Sequence, residues 1–249
     1  MKDYSISGSG KLPGGDDYGK ISVSGSGRIG GSIRCEALSV SGSCHVEGDT
    51  VCAGRFGVSG SCRTDGDVRT ETLSVSGSCR LGGAAEAKTI DVSGALHAEG
   101  NLRAGTLSGG GALHTPAGVE ADNVVFTGKL EIGGLLNAEK IDLRLCGASN
   151  VHDLGGTEIT VRSGPASADR TGSVLSTISA SLSSLFGGPS GRLSADVIEG
   201  DTLNLDAVDA RVVRGRKIFL HAGCRIERVE YAESLDVEEG ASVGERVPT

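Results

Sequence analysis

Apolar and polar positions along this chain recur with a fixed step. Val-Ser-Gly-Ser-Cys appears at Val40–Cys44, Val58–Cys62 and Val75–Cys79. Looser copies lie at Ile6–Gly10, Val23–Gly27 and Val92–Leu96, and degraded ones at Gly109–Leu113, Phe126–Leu130 and Leu143–Gly147. The leading positions are 6, 23, 40, 58, 75, 92, 109, 126 and 143, so the step is 17 throughout except for a single 18. A short fixed period marks a repeat architecture, in which each unit buries its apolar face only against its neighbours.

Rows of 17 resolve into columns. One holds Ile21, Leu38, Phe56, Leu73, Ile90, Leu107, Val124, Ile141 and Ile159, and the column two residues later holds Val23, Val40, Val58, Val75, Val92, Gly109, Phe126, Leu143 and Val161. Two further on stand Gly25, Gly42, Gly60, Gly77, Gly94, Gly111 and Gly128, then Gly27, Cys44, Cys62, Cys79, Leu96, Leu113 and Leu130. Alternation with period two predicts strands, with apolar side chains inward. A glycine at one place in every row predicts a corner or a close approach of backbones. A row this short cannot hold a strand–helix repeat and suits one coil of three short strands. Successive coils then pair in parallel about 4.8 Å apart. The pattern predicts an all-β fold, a right-handed parallel β-helix, since parallel crossovers are nearly always right-handed.

The rows lose phase after Val161. From Ser163 to Gly191 the composition shifts to Ser, Gly, Pro and Ala, which reads as an insertion. Within it Val174, Leu175, Ile178, Leu182, Leu185 and Phe186 share about 120° of a helical face. The opposite face is uncharged Ser, Thr and Ala, and Gly187-Gly188-Pro189 ends the run. The spacing predicts an amphipathic helix over 173–186, to be packed on the solenoid, laid on a membrane or partner, or left disordered. The rhythm then returns: Leu203, Leu220 and Val237 are 17 apart, as are Ala207, Cys224 and Ala241, and Val212 and Val229. The expected organisation is one solenoid of about 13 coils and on the order of 60 Å. Its parts are coils over 1–162, an insertion over 163–191 and coils over 192–247.

Composition narrows the function classes. There are 41 glycines, seven aromatic residues and no tryptophan among 249 residues, so Val, Ile, Leu, Ala and Cys must fill thin layers. A formal net charge of −8 lacks the basic footprint of nucleic-acid binders. No apolar run follows Met1-Lys2-Asp3-Tyr4, and none approaches the length of a membrane span. These features predict a cytoplasmic chain with reduced thiols.

The motifs with chemical precedent fit the repeat better than a site. Gly25-Ser26-Gly27-Arg28-Ile29-Gly30 has dinucleotide-fingerprint spacing, but no helix follows it to hold a pyrophosphate. Cys44, Cys62 and Cys79 form a straight inward ladder, whereas structural zinc needs four convergent ligands. His45, His97 and His114 share an outward column with Arg28, Arg63 and Arg80, with Glu47, Asp65 and Glu99 two positions along. That is a charge ladder in solvent; β-helical acyltransferases use a histidine base but run at hexapeptide periods that this chain breaks. No catalytic, cofactor-binding or metal-binding residue is assigned.

The run Val40-Ser41-Gly42-Ser43-Cys44-His45-Val46-Glu47-Gly48-Asp49, with a close second copy from Val58 to Asp67, resembles the bactofilin family of bacterial polymer-forming cytoskeletal proteins. The resemblance covers Ile6 to Val161 well and Leu193 to Val243 more loosely. It implies a right-handed β-helix that polymerises end to end without nucleotide and serves as a scaffold in cell shape, wall synthesis or motility. Typical members have about half as many coils, and many carry a hydrophobic N-terminal membrane tag that Met1–Ser5 does not match. The terminal coils offer strand edges that template pairing. The residues expected at the interfaces are Ile6, Ile21 and Val23 at one end and Leu235, Val237 and Val243 at the other. The expected partner is the chain itself, with a membrane surface or a cell-envelope or motility protein as further candidates. The rival reading is a non-polymerising adaptor that binds through its faces or the inserted helix.

Overall fold

The computed structural model describes residues 1–164 and 191–249. These residues build a parallel β-solenoid of about 13 turns, with no helix among them. They divide into two compact units, Met1–Val125 with Glu131–Asn137, and Phe126–Leu130 with Ala138–Thr249.

The first unit follows the columns of 17. Strands β3 (Asp17–Val23), β5 (Ile33–Val40), β7 (Thr50–Val58), β9 (Val68–Val75), β11 (Ala85–Val92) and β13 (Leu102–Gly109) stack in parallel. Ile21, Leu38, Phe56, Leu73, Ile90 and Leu107 face one another in that order, each at most 1% exposed. Strand β13 pairs in turn with the long β15 (Val119–Leu145). A second stack contains β4 (Ser26–Gly30), β6 (Ser43–Val46), β8 (Ser61–Thr64), β10 (Ser78–Leu81), β12 (Ala95–Ala98) and β14 (Ala112–Thr115). It carries the inward line Gly27, Cys44, Cys62, Cys79, Leu96 and Leu113. The single longer step is absorbed in β7. Cys35 faces Cys52 and Leu38 faces Phe56, so the extra residue lies between Cys52 and Phe56, where the ladder shifts register.

The two corners are built differently. At the Ser-Gly-Ser corner, a methyl group placed on Gly77 would lie 2.0 Å from the Gly60 carbonyl oxygen. Coils therefore touch there at backbone distance, and glycine is required for space rather than for a left-handed φ. At the Gly-Asp corner, side chains cap the turn amides of the following coil. Asp49 Oδ1 accepts from the Asp67 amide at 2.9 Å and Asp67 Oδ1 from the Ala84 amide at 2.8 Å. Ser32 and Asn101 serve the Asp49 and Gly118 amides in the same way. Each of these turn amides takes its acceptor from a side chain one coil earlier, so this column favours short polar side chains.

The second unit departs from the expected spacing. Its strands are β16 (Ala148–Ser163), β17 (Arg192–Leu205), β18 (Val208–Leu220), β19 (Arg225–Val237) and β20 (Ser242–Pro248). Leu203 faces Ile218, not Leu220, and Leu205 faces Leu220, so this coil is two positions shorter than the repeat. Val212 faces Arg228 rather than Val229, a step of 16, and 17 returns only where Lys217 faces Ser234. The cause is a tight corner in which Ala207 takes a left-handed φ of 54°. The equivalent corner at His221–Gly223 is longer, and a further residue enters β19 between Tyr231 and Ser234, opposite Gly215–Lys217. The insertion departs where β16 ends at Ser163. The expected helix residues Val174, Leu175, Ile178, Leu182, Leu185 and Phe186 lie outside the described residues. Arg192, just after the insertion, reaches Asp209 and the Gly223 carbonyl at 3.2 Å.

Candidate assembly surfaces

Two strand edges have no partner among the described residues. At the N-terminal end, β1 (Lys2–Ile6) pairs only with β3, placing Tyr4 on Ile21 and Ile6 on Val23. Strand β2 (Ser9–Pro13) pairs only with β4, placing Leu12 on Ile29. Of the three residues expected here, Ile6 thus sits in the outermost layer. Ile21 and Val23 lie one coil in, each 1% exposed beneath β1. Tyr4, 44% exposed, is an outer-layer side chain that the column reading passed over. Its ring stands edge-on to Tyr18 at 6.0 Å, and the Tyr18 hydroxyl donates to the Pro13 carbonyl at 2.7 Å.

At the other edge β20 pairs only with β19, where Val243 faces Ile226. Leu235 and Val237 pair with Ile218 and Leu220 on one side, and no described strand covers their other side. All three expected residues, Leu235, Val237 and Val243, are half-buried, whereas Val229, on the part of β19 that β20 covers, is sealed. Half-exposed aliphatic side chains beside unpaired backbone groups are what a further strand would cover.

The outward charged column closes on itself. Arg28 pairs with Glu47, and Asp65 accepts from Arg63 at 2.9 Å and contacts His45 at 2.8 Å. His97 meets Glu99 at 2.7 Å and His114 meets Glu131 at 2.9 Å, with the two imidazoles stacked 4.5 Å apart. The Arg63 guanidinium, then His45, holds the Asp65 carboxyl below the usual carboxylate range, and His97 does the same for Glu99. This is the solvated ladder expected from the sequence, now with its partners assigned.

Six of the seven thiols are buried, and Cys146 is exposed. Cys44, Cys62 and Cys79 are buried in register. A second stacked pair, Cys35 and Cys52, brings its sulfurs to 3.0 Å. The hydrogen bond between the two thiols holds Cys35 below the ordinary thiol range and pushes Cys52 above it, with burial and then the charge on Cys35 adding to the rise at Cys52. The column reading missed this pair because the extra residue of β7 displaces its row. Cys52 also floors a shallow groove of about 660 Å³ with Thr70, Ala87 and Ala104, rimmed by the pairs Lys88–Glu71 and Arg69–Glu86.

Residues 3–86, which include most of β1, all of β2 and the corner glycines up to Gly77, match the family model described as Bactofilin, polymer-forming cytoskeletal. This match supports a bactofilin-family assignment for residues 3–86. Alongside this bactofilin match, the chain is 33% identical over 114 residues to the uncharacterised protein YhbF of Bacillus subtilis (strain 168), covering 45% of this chain and 41% of the relative. It is 32% identical over 116 residues to the uncharacterised YhbE of the same organism, covering 45% and 42%. Each match thus spans less than half of the relative. No solved structure matches the chain. Among the described residues, no helix is long and apolar enough to cross a membrane.

Proposed function

We propose that this chain joins copies of itself through its terminal coils into filaments that need no nucleotide, and that these filaments act as a scaffold in a bacterial cell, in shape, wall synthesis or motility. The observation that carries this reading is the pair of uncovered strand edges, β1 with β2 at one end and β19 with β20 at the other. The polymer-forming description of the family matched by residues 3–86 supports it. An added coil continues the ladder with the same N–H···O=C bonds that join coils inside each unit. This is strand addition with both partners supplying an edge. Apolar contacts from Leu235, Val237 and Val243 add to those bonds. The family's cytoskeletal description supports filaments in the cytoplasm, with the inserted segment as the candidate for membrane attachment.

The test is electron microscopy and sedimentation of the purified full chain without nucleotide. The wild type is expected to form filaments or end-to-end oligomers at micromolar concentration. Val237→Arg should stop growth at its end while leaving the fold intact, because it sets an unpaired charge against an apolar partner layer, a cost of several kcal/mol. A wild type that stays monomeric in low and high salt overturns the filament reading and leaves the rigid adaptor.

A further inference from the structure

The Ser-Gly-Ser corners contain a residue that its own chain does not need. At Gly25, Gly42, Gly60, Gly77, Gly94 and Gly111, an added methyl group would sit 2.0–2.1 Å from the carbonyl oxygen of the corner glycine one coil nearer the N-terminus. Each of these glycines is demanded by the coil before it. Gly8 stands in the same column, and Ser7 and Ser9 flank it as Ser24 and Ser26 flank Gly25. A methyl group on Gly8 would meet nothing within 4 Å, and Gly8 is not among the residues of positive φ. Neither space nor backbone conformation within the described chain requires glycine there.

We propose that Gly8 is a contact position for a second copy of this chain, whose terminal coil stacks on the β1–β2 face and brings its backbone against the Gly8 corner. The inference rests on the filament reading and names the residue that admits the neighbour. The direction is fixed by geometry: a methyl group at an interior corner points toward the preceding coil, so at Gly8 it points out of the open face. The occupant's chemistry follows from the same geometry. What excludes a methyl group at the other six corners is a backbone carbonyl held by a ladder, the Ser26 amide donating to Gly8 oxygen at 2.8 Å and the Ser43 amide to Gly25 oxygen at 2.8 Å. A coil of this same fold supplies such a carbonyl. The surrounding layer suits it, with unpaired outward backbone groups on β1 and β2 and exposed Tyr4 at its margin.

The experiment compares the full-length wild type with Gly8→Ala, Gly8→Val and the distant control Gly57→Ala. Sedimentation velocity and electron microscopy without nucleotide read assembly. Thermal melting, at a dilution where the wild type is dispersed, reads the fold. Gly8→Ala should melt within about 1 °C of wild type yet associate at least about tenfold more weakly, about 1.4 kcal/mol, with Gly8→Val weaker still and Gly57→Ala unaffected. Gly8→Ala filaments equal to wild type would overturn the inference while leaving the filament reading standing. A Gly8→Ala chain that melts far below wild type would also overturn it, because the glycine would then serve its own chain. A wild type that never assembles removes the filament reading, and this inference with it.

Discussion

Gly77→Ala puts one methyl group where two coils touch. Its carbon would lie 2.0 Å from Gly60 oxygen, 2.4 Å from Ser59 oxygen and 2.7 Å from the Ser59 carbonyl carbon, all backbone atoms that no rotamer change can move. Reaching an ordinary contact requires the corners to part by about an ångström. The bonds holding them are the Gly77 amide to Val58 oxygen at 3.1 Å and the Ser78 amide to Gly60 oxygen at 2.9 Å. Losing them costs about 0.5–1.5 kcal/mol each, and overpacking strain adds about 1–3 kcal/mol. Against this, alanine restricts the unfolded chain and returns about 0.4–1 kcal/mol. The expected net loss is about 1–6 kcal/mol. Gly57→Ala is the internal control. Gly57 lies in β7 between Ser39 and Ser74, with only Arg55 Nε, a movable side-chain atom, at 3.4 Å, so that variant should gain about 0.4–1 kcal/mol. Urea unfolding followed by circular dichroism measures both, and hydrogen exchange at Ser78 localises the damage, since each coil touches only its neighbours. Equal midpoints for the two variants would refute the close-contact account of the corner.

Other expectations follow from single groups. Thr50 is fully buried between Ile33 and Val68, and its hydroxyl finds no partner among the described residues. Thr50→Val removes an unsatisfied group at nearly constant shape and should raise stability by about 1 kcal/mol in urea; a loss would mean the hydroxyl is bonded. The carboxyls of Asp65, Glu71, Glu99, Glu230 and Glu233 are all held below their ordinary range, first by Arg63, Lys88, His97, Arg214 and Arg216 respectively. A depressed folded value means a contribution present above the ordinary carboxylate range and lost as pH falls through the folded values. Urea midpoints should therefore drop on acidification below about pH 4, less steeply in high salt because these pairs are exposed. A midpoint that rises on acidification would contradict the ladder.

Much of the first unit was legible because inward columns, corner glycines and the charge ladder all repeat at one period, so each row reinforces the next. The residues that escaped are those where the period slips. Cys35 and Cys52 pair beside the extra residue of β7. The left-handed Ala207 shortens the β17–β18 coil by two positions, which no column of 17 can show. The Gly-Asp corner was quoted as a motif, but its reason, a side-chain acceptor for the next coil's amide, is visible only across coils. At the ends, sequence order marks which rows come first and last. It does not show that Ile21 and Val23 are already covered by Tyr4 and Ile6.

The corner glycine has a consequence for how such a chain can change over generations. Because every Ser-Gly-Ser corner meets the next through the same backbone contact, one coil is interchangeable with another. Excising residues 60–76 in frame would join Ser59 to Gly77 and set Gly77 on Gly42, as Gly60 sits now. A cut one residue shorter would instead need a local register shift, such as the one in β7, to keep the following side chains on their faces. Gene-level gain or loss of one whole coil is thus a nearly neutral edit, and the coil number of the first unit becomes an inherited length, adjustable one step at a time.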